Sequence, residues 1–262
     1  MGSLAGKSPA NTYKSLLKVA DETNGVSDTI SQIEDGEGTA SSLSVTRSQL
    51  HVKGLADSTG TLQVKKSGGA SILKVDTSNN AVLVGSSLVN ATTQLLTFTG
   101  YRVVPSSAGI HSFVPVNGMA EFGTGAAQEV QGGSGTDPST SLDKTATTDE
   151  LACMLFYVPY NMVIDAGRVL VSTDQDTDCT INVHLMSYDM VTDGTTNDGN
   201  LTNGTVLADG QATSVDRNVI KSIDLTIQSS SVTSGKIIAC FVENETNTDD
   251  INIQVQVKYH IA

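Results

Sequence analysis

Tryptophan is absent from this 262-residue chain, and aromatic residues of all kinds make up only 4% of it. Large side chains that fill a core are therefore scarce, and folds of this kind gain stability by associating with copies of themselves. The three cysteines, Cys153, Cys179 and Cys240, are far apart and lack Cys-x-x-Cys spacing. That argues against a zinc site or a disulfide framework and predicts buried free thiols, kept reduced while the chain folds. No stretch approaches the ~18 consecutive apolar residues of a membrane-spanning helix. The N-terminus has no long apolar segment, so a secretory signal is not expected.

What fills the chain instead is Ser, Thr, Asn, Gly and Val. β-Branched residues suit a pleated surface, and Gly, Asn and Asp suit turns, so the composition points to an all-β protein. The formal charge is −13, unevenly placed: residues 1–80 carry eight basic and eight acidic side chains, residues 81–262 seven basic and twenty acidic. An acidic body repels nucleic acid and anionic membrane, so neither is expected as a partner, and membrane insertion is not expected either. The acidity itself reads as solubility.

The most informative stretch runs from Leu43 to Val84. Leu43 and Val45, Leu50 and Val52, Leu62 and Val64, Leu73 and Val75, Val82 and Val84 are five apolar–x–apolar segments spaced 7, 12, 11 and 9 residues apart. Turn-forming connectors such as Asp35–Gly38, Ala56–Gly60, Ser67–Gly69 and Ser78–Asn80 separate or precede them. Each is a short strand with two inward residues, too few for a core within one chain. Three copies wound about a common axis can bury them, which is solenoid logic applied between chains. Ordinary short strands of a single globular domain remain the alternative.

Four segments follow from this pattern. Residues 1–22 form a short anchor peptide, with Tyr13, Leu16 and Leu17 at helical spacing behind a Ser8–Pro9 start. Lys7, Lys14 and Lys18 are unopposed until Asp21, and a disordered terminus is the plain alternative. Residues 23–92 form an intertwined trimeric β-shaft, and residues 93–150, with a glycine-rich stretch from Gly118 to Gly135, an irregular connector. Residues 151–262 form a β-sandwich of jelly-roll type. Its expected strands are Leu151–Val158, Val163–Ser172, Cys179–Tyr188, Thr205–Leu207, Val219–Ile227, Gly235–Glu243 and Ile251–Ile261.

Little in the sequence suggests catalysis. His51, His111, His184 and His260 belong to no nucleophile elbow and no His-Glu-x-x-His pair, and each reads as structural or surface. No catalytic residue and no cofactor is expected. The Asp174, Asp176 and Asp178 cluster on one turn has the wrong shape for a glycosidase pair, which flanks its bond. As a calcium loop it is a weak candidate, because the glycine is missing and Leu185 occupies the twelfth position. Gly132-Gly-Ser-Gly-Thr136 lacks the lysine of a phosphate loop.

Three motifs resemble small fibre or appendage proteins of tailed bacteriophages. Gly6–Leu17 looks like an N-terminal virion attachment peptide, Val26–Val45 like the start of a fibre shaft, and Leu62–Gly85 is similar to the shaft repeat of trimeric tail fibres. The resemblance implies a homotrimeric virion component made in the host bacterial cytoplasm. It would be a short surface fibre or capsid decoration, held by a capsid, neck or tail protein through Lys7, Pro9, Tyr13, Lys14, Leu16 and Leu17, with an exposed knob. The alternative is a tail fibre whose knob recognises host surface glycans, for which Tyr157, Tyr160 and Tyr188 are the available aromatics.

Overall fold

A computed structural model describes residues 17–262, apart from 22, 86, 88, 118–130, 144–150 and 195. Most of the anchor peptide, including Lys7, Pro9, Tyr13, Lys14 and Leu16, lies outside the described residues, and Leu17 is exposed. The protein is all-β. Among the described residues the helical content is a single 3-10 turn, Leu151–Cys153, and no helix is long and apolar enough to cross a membrane. The chain divides into two compact units, residues 1–92 and 93–262.

The first unit contains two small antiparallel sheets. One joins β1 (Lys18–Val19), β2 (Ser31–Glu34), β3 (Ala40–Val45) and β4 (Leu50–Val52) in that order. The other joins β5 (Leu62–Lys65), β6 (Ser71–Asp76), β7 (Ala81–Val84) and β8 (Val89–Asn90). Asx-type turns close the hairpins: Asp35 Oδ1 accepts from the backbone N–H groups of Glu37 and Thr39, and Asp76 Oδ1 from that of Asn79. Asn80 follows at φ 51°, a left-handed position that Asn tolerates.

The second unit is a nearly closed, barrel-like sandwich. β9 (Thr93–Val103), β10 (Ser112–Val114), β11 (Leu155–Tyr157), β12 (Met162–Thr173), β13 (Cys179–Met190) and β14 (Leu201–Val215) are followed by β15 (Lys221–Ile227), β16 (Ser231–Val232), β17 (Ile237–Asn244) and β18 (Ile251–Ile261). The hydrogen-bonded order is β10-β17-β13-β14-β15-β12-β18-β9. Only two residue pairs link β14 to β15, so the path bends there into two four-stranded faces. On the other side, a single bridge between Phe98 and Val116 brings the ends together. Between the faces lies a core of alternating residues, among them Phe98, Val169, Ile181, Val183, Leu185, Val242, Val255 and Val257.

Three expectations need correction. Residues 93–150 are not simply an irregular connector, because Thr93–Val103 is an eleven-residue strand paired along β18. Its Leu96, Phe98 and Val103 face inward, and Gly100 must lack a side chain because a Cβ there would lie 2.4 Å from Val103 Cγ2. The expected strand Leu151–Val158 is instead a 3-10 turn followed by the three-residue β11. The expected Thr205–Leu207 is the middle of the fifteen-residue β14, whose flanking Asn203, Gly204 and Gly210 mimic turn signals.

Candidate functional site

Two features stand out, one in each unit. The first is an apolar sheet face. Across β5, β6 and β7 the register aligns Leu62 with Val75 and Val82, and Val64 with Leu73 and Val84. Because partners across an antiparallel pair and residues two apart along a strand share a face, all six side chains project on one side. Leu43 and Val45 likewise stand opposite Val52 and Leu50 across β3 and β4. Leu43, Leu50, Leu62, Val64, Val82 and Val84 are all exposed, and Val45, Val52, Leu73 and Val75 half-buried. Among the described residues of this unit no apolar side chain is buried; the two that are, Ser31 and Asp76, are polar.

The second feature lies on the outer face of the β10-β17-β13 sheet. Along β13, Ile181, Val183 and Leu185 enter the central core, so Asn182, His184, Met186 and Tyr188 point the other way. Along β17, Phe241 and Glu243 share that outer face, since Cys240 and Val242 are in the central core. A strap at residues 131–143 covers this face. Gly132 sits where a Cβ would be 2.7 Å from the Phe241 ring, and Tyr188 Oη donates to the Ser139 carbonyl at 2.9 Å. Leu142 bridges to Leu201. The result is a second apolar cluster of Phe113, Met186, Tyr188, Phe241 and their neighbours.

At the edge of that cluster the lining turns polar. His111 immediately precedes β10 and is fully buried; His184 and Glu243 are each 5% exposed. The two imidazoles meet edge-on with ring centroids 5.0 Å apart. His111 Nδ1 lies 3.1 Å from the Gly133 carbonyl oxygen, which only accepts, so Nδ1 carries a proton, and in the neutral ring Nε2 presents its lone pair. Nε2 is 3.6 Å from Glu243 Oε2, beyond hydrogen-bonding reach. His111 Nε2 and both ring nitrogens of His184 are buried with no hydrogen-bond partner among the described residues. Burial, and secondarily the neighbouring His111 ring, push His184 down to about 4, so the imidazole is neutral near pH 7. Glu243 Oε2 accepts from Asn182 Nδ2 at 2.8 Å, and Asn182 Oδ1 accepts from Gln211 at 2.9 Å. Beside His184 a pocket of about 410 Å³ opens between Asp137, Asn182, Asp209, Gln211 and Glu245.

The remaining sequence candidates are dispersed. Asp176 is engaged by Arg217 and by Asn218 Nδ2, and Asp174 Oδ1 accepts the backbone N–H of Asp250. Among the described residues the sets of three ligating groups that close to within 4.8 Å are His111–His184–Glu243 and Asp137–His184–Asp209; the Asp174–Asp178 turn is not one of them. Tyr188 is fully buried and so is not an aromatic platform, whereas Tyr157 and Tyr160 are exposed. His51 pairs with Gln49, and His260 with Asp165 at 2.9 Å. No protein-family model matches the chain, and no curated protein is significantly similar to it.

Proposed function

We propose that this protein is a structural component of a phage virion: a homotrimeric short surface fibre or capsid decoration protein. In this reading residues 1–22 attach it to the particle and the second unit is an exposed knob. One observation carries the proposal. The first unit buries no apolar side chain among its described residues, yet it aligns Leu62, Val64, Leu73, Val75, Val82 and Val84 on one exposed face. A sheet with such a face requires cover. The cover we assign is two further copies of the same unit. Residues 1–80 carry no net charge, so copies of this region meet without the repulsion that the acidic remainder would impose.

The knob reading extends to a jelly roll. Counting the eight strands of the main hydrogen-bonded path in chain order, one face runs first-eighth-third-sixth (β9-β18-β12-β15) and the other second-seventh-fourth-fifth (β10-β17-β13-β14). That order supports two interleaved Greek keys. Such knobs decorate many kinds of particle, so the fold by itself assigns no ligand.

A receptor-binding tail fibre is the second reading. It is favoured by exposed Tyr160, which lines a small pocket of about 100 Å³ with Phe156, Pro159 and Tyr259. Antibodies against the chain distinguish the alternatives on purified particles. Labelling at the capsid surface supports decoration, labelling at the tail supports the second reading, and unlabelled particles contradict both.

A further inference from the structure

We propose that His111, His184 and Glu243 form a binding site for a divalent first-row transition ion of the zinc class on the outer face of the β10-β17-β13 sheet, beside the 131–143 strap. The inference is independent of the assembly reading, since all three residues lie within the second unit.

Register brings the three residues together. Asn182 pairs with Glu243 and His184 with Phe241 across β13 and β17, while Ser112 pairs with Val242 across β10 and β17. Extending the second pairing by one residue sets His111 beside Glu243, and His184 lies two residues from Asn182 on the same face. One ligating atom from each of the three falls within 4.8 Å of the others. On a tetrahedral ion with bonds of about 2.0–2.2 Å, ligand atoms sit roughly 3.4 Å apart, so a small inward closure fills three positions and leaves the fourth to water.

The chemistry of the donors selects the ion. The Gly133 carbonyl holds a proton of His111 on Nδ1, so that in the neutral ring the Nε2 lone pair is aimed towards Glu243 Oε2, 3.6 Å away. A backbone carbonyl holding the far nitrogen of a metal-binding imidazole is the usual supporting contact. Asn182 Nδ2 donates to Glu243 Oε2, the oxygen that faces His111, and so fixes the carboxylate, while Gln211 holds Asn182. Three buried imidazole nitrogens without hydrogen-bond partners among the described residues are costly unless something fills the space between them. Two nitrogens and one carboxylate favour zinc-class ions over calcium or magnesium, which take oxygen ligands. Carboxylates of Asp137, Asp209 and Glu245 line the adjoining pocket and give a cation an acidic approach.

The test uses the full chain, treated with chelator and titrated with Zn²⁺ by calorimetry, and with Co²⁺ by visible absorption. The expected result is one saturable ion per chain, cobalt d–d bands of a nitrogen–oxygen site and a raised Tm. H111Q and E243Q should each weaken Zn²⁺ binding by roughly 100-fold or more, whereas D137N should keep the stoichiometry at one. If H111Q does not fold, the cobalt spectrum and histidine NMR shifts of the unsubstituted chain still decide the matter. No saturable binding would overturn the proposal and leave a bridging water as the filler. So would binding that survives H111Q and E243Q but is lost in D137N, because the ion would then sit on the exposed carboxylates.

Discussion

Val64 and Leu73 stand directly opposite each other across β5 and β6, and Val64 nevertheless keeps 45% of its surface in water. Leu73 is in turn opposite Val84, which is 40% exposed, so the row continues across three strands without entering a core of its own. Burying the remainder of such a side chain is worth about 1 kcal/mol, a share of the 1.5–3 kcal/mol for full burial. Summed over the face and over three copies, that is enough to drive association.

Leu73→Asp places a carboxylate in the centre of this face. Three such charges would meet at the trimer axis, and burying them unpaired is prohibitive. The expected outcome is loss of assembly, read by sedimentation velocity. The second unit should keep its fold, shown by continued protection of the buried Cys179 and Cys240 thiols from alkylation. Assembly of L73D at the unsubstituted strength would remove this face from the interface.

Phe241→Ala tests the outer cluster beneath the strap. Phe241 is fully buried, 4.4 Å from the Phe113 ring centroid and 6.3 Å from that of Tyr188. Removing a ring from such packing costs about 3–5 kcal/mol. Urea unfolding followed by circular dichroism should show a loss of that size, with the midpoint shifted and the slope retained.

Asp189 supplies a pH dependence of known sign. The Lys236 ammonium at 2.7 Å, and then Asn203, hold its carboxyl below the usual range. A depressed folded-state value stabilises the fold above the unfolded value, and that contribution fades as pH falls through the folded one. The pair is partly exposed, so solvent screening limits its contribution to about 0.2–1 kcal/mol. D189N should therefore be less stable than the unsubstituted protein at pH 7, and the two should converge as the pH drops below about 3 in denaturation curves.

The sequence was legible where alternation was strict and both neighbours agreed. Ile251–Ile261 alternates apolar and polar residues without a break, and β18 spans the same residues with its apolar side buried. Alternation failed for β14, of which only Thr205–Leu207 was expected as strand although it runs from Leu201 to Val215. In the fold Gly204 is a glycine because a Cβ would lie 2.6 Å from the Tyr188 ring and 2.8 Å from Thr140 Cα. The His111–His184–Glu243 cluster was not legible. Its members come from three separate strand regions, and only the β10-β17-β13 register makes them neighbours. The one available signal was local: His184 interrupts a run in β13 that is buried on both faces, where an ordinary surface strand would have placed it in water.

The mass of the full chain in solution tests the account most directly. Multi-angle light scattering across a wide concentration range should give three times the 27.3 kDa chain mass, persisting on dilution. A single-chain mass at every concentration would mean that the Leu62–Val84 face stays in water, and would contradict the trimeric shaft.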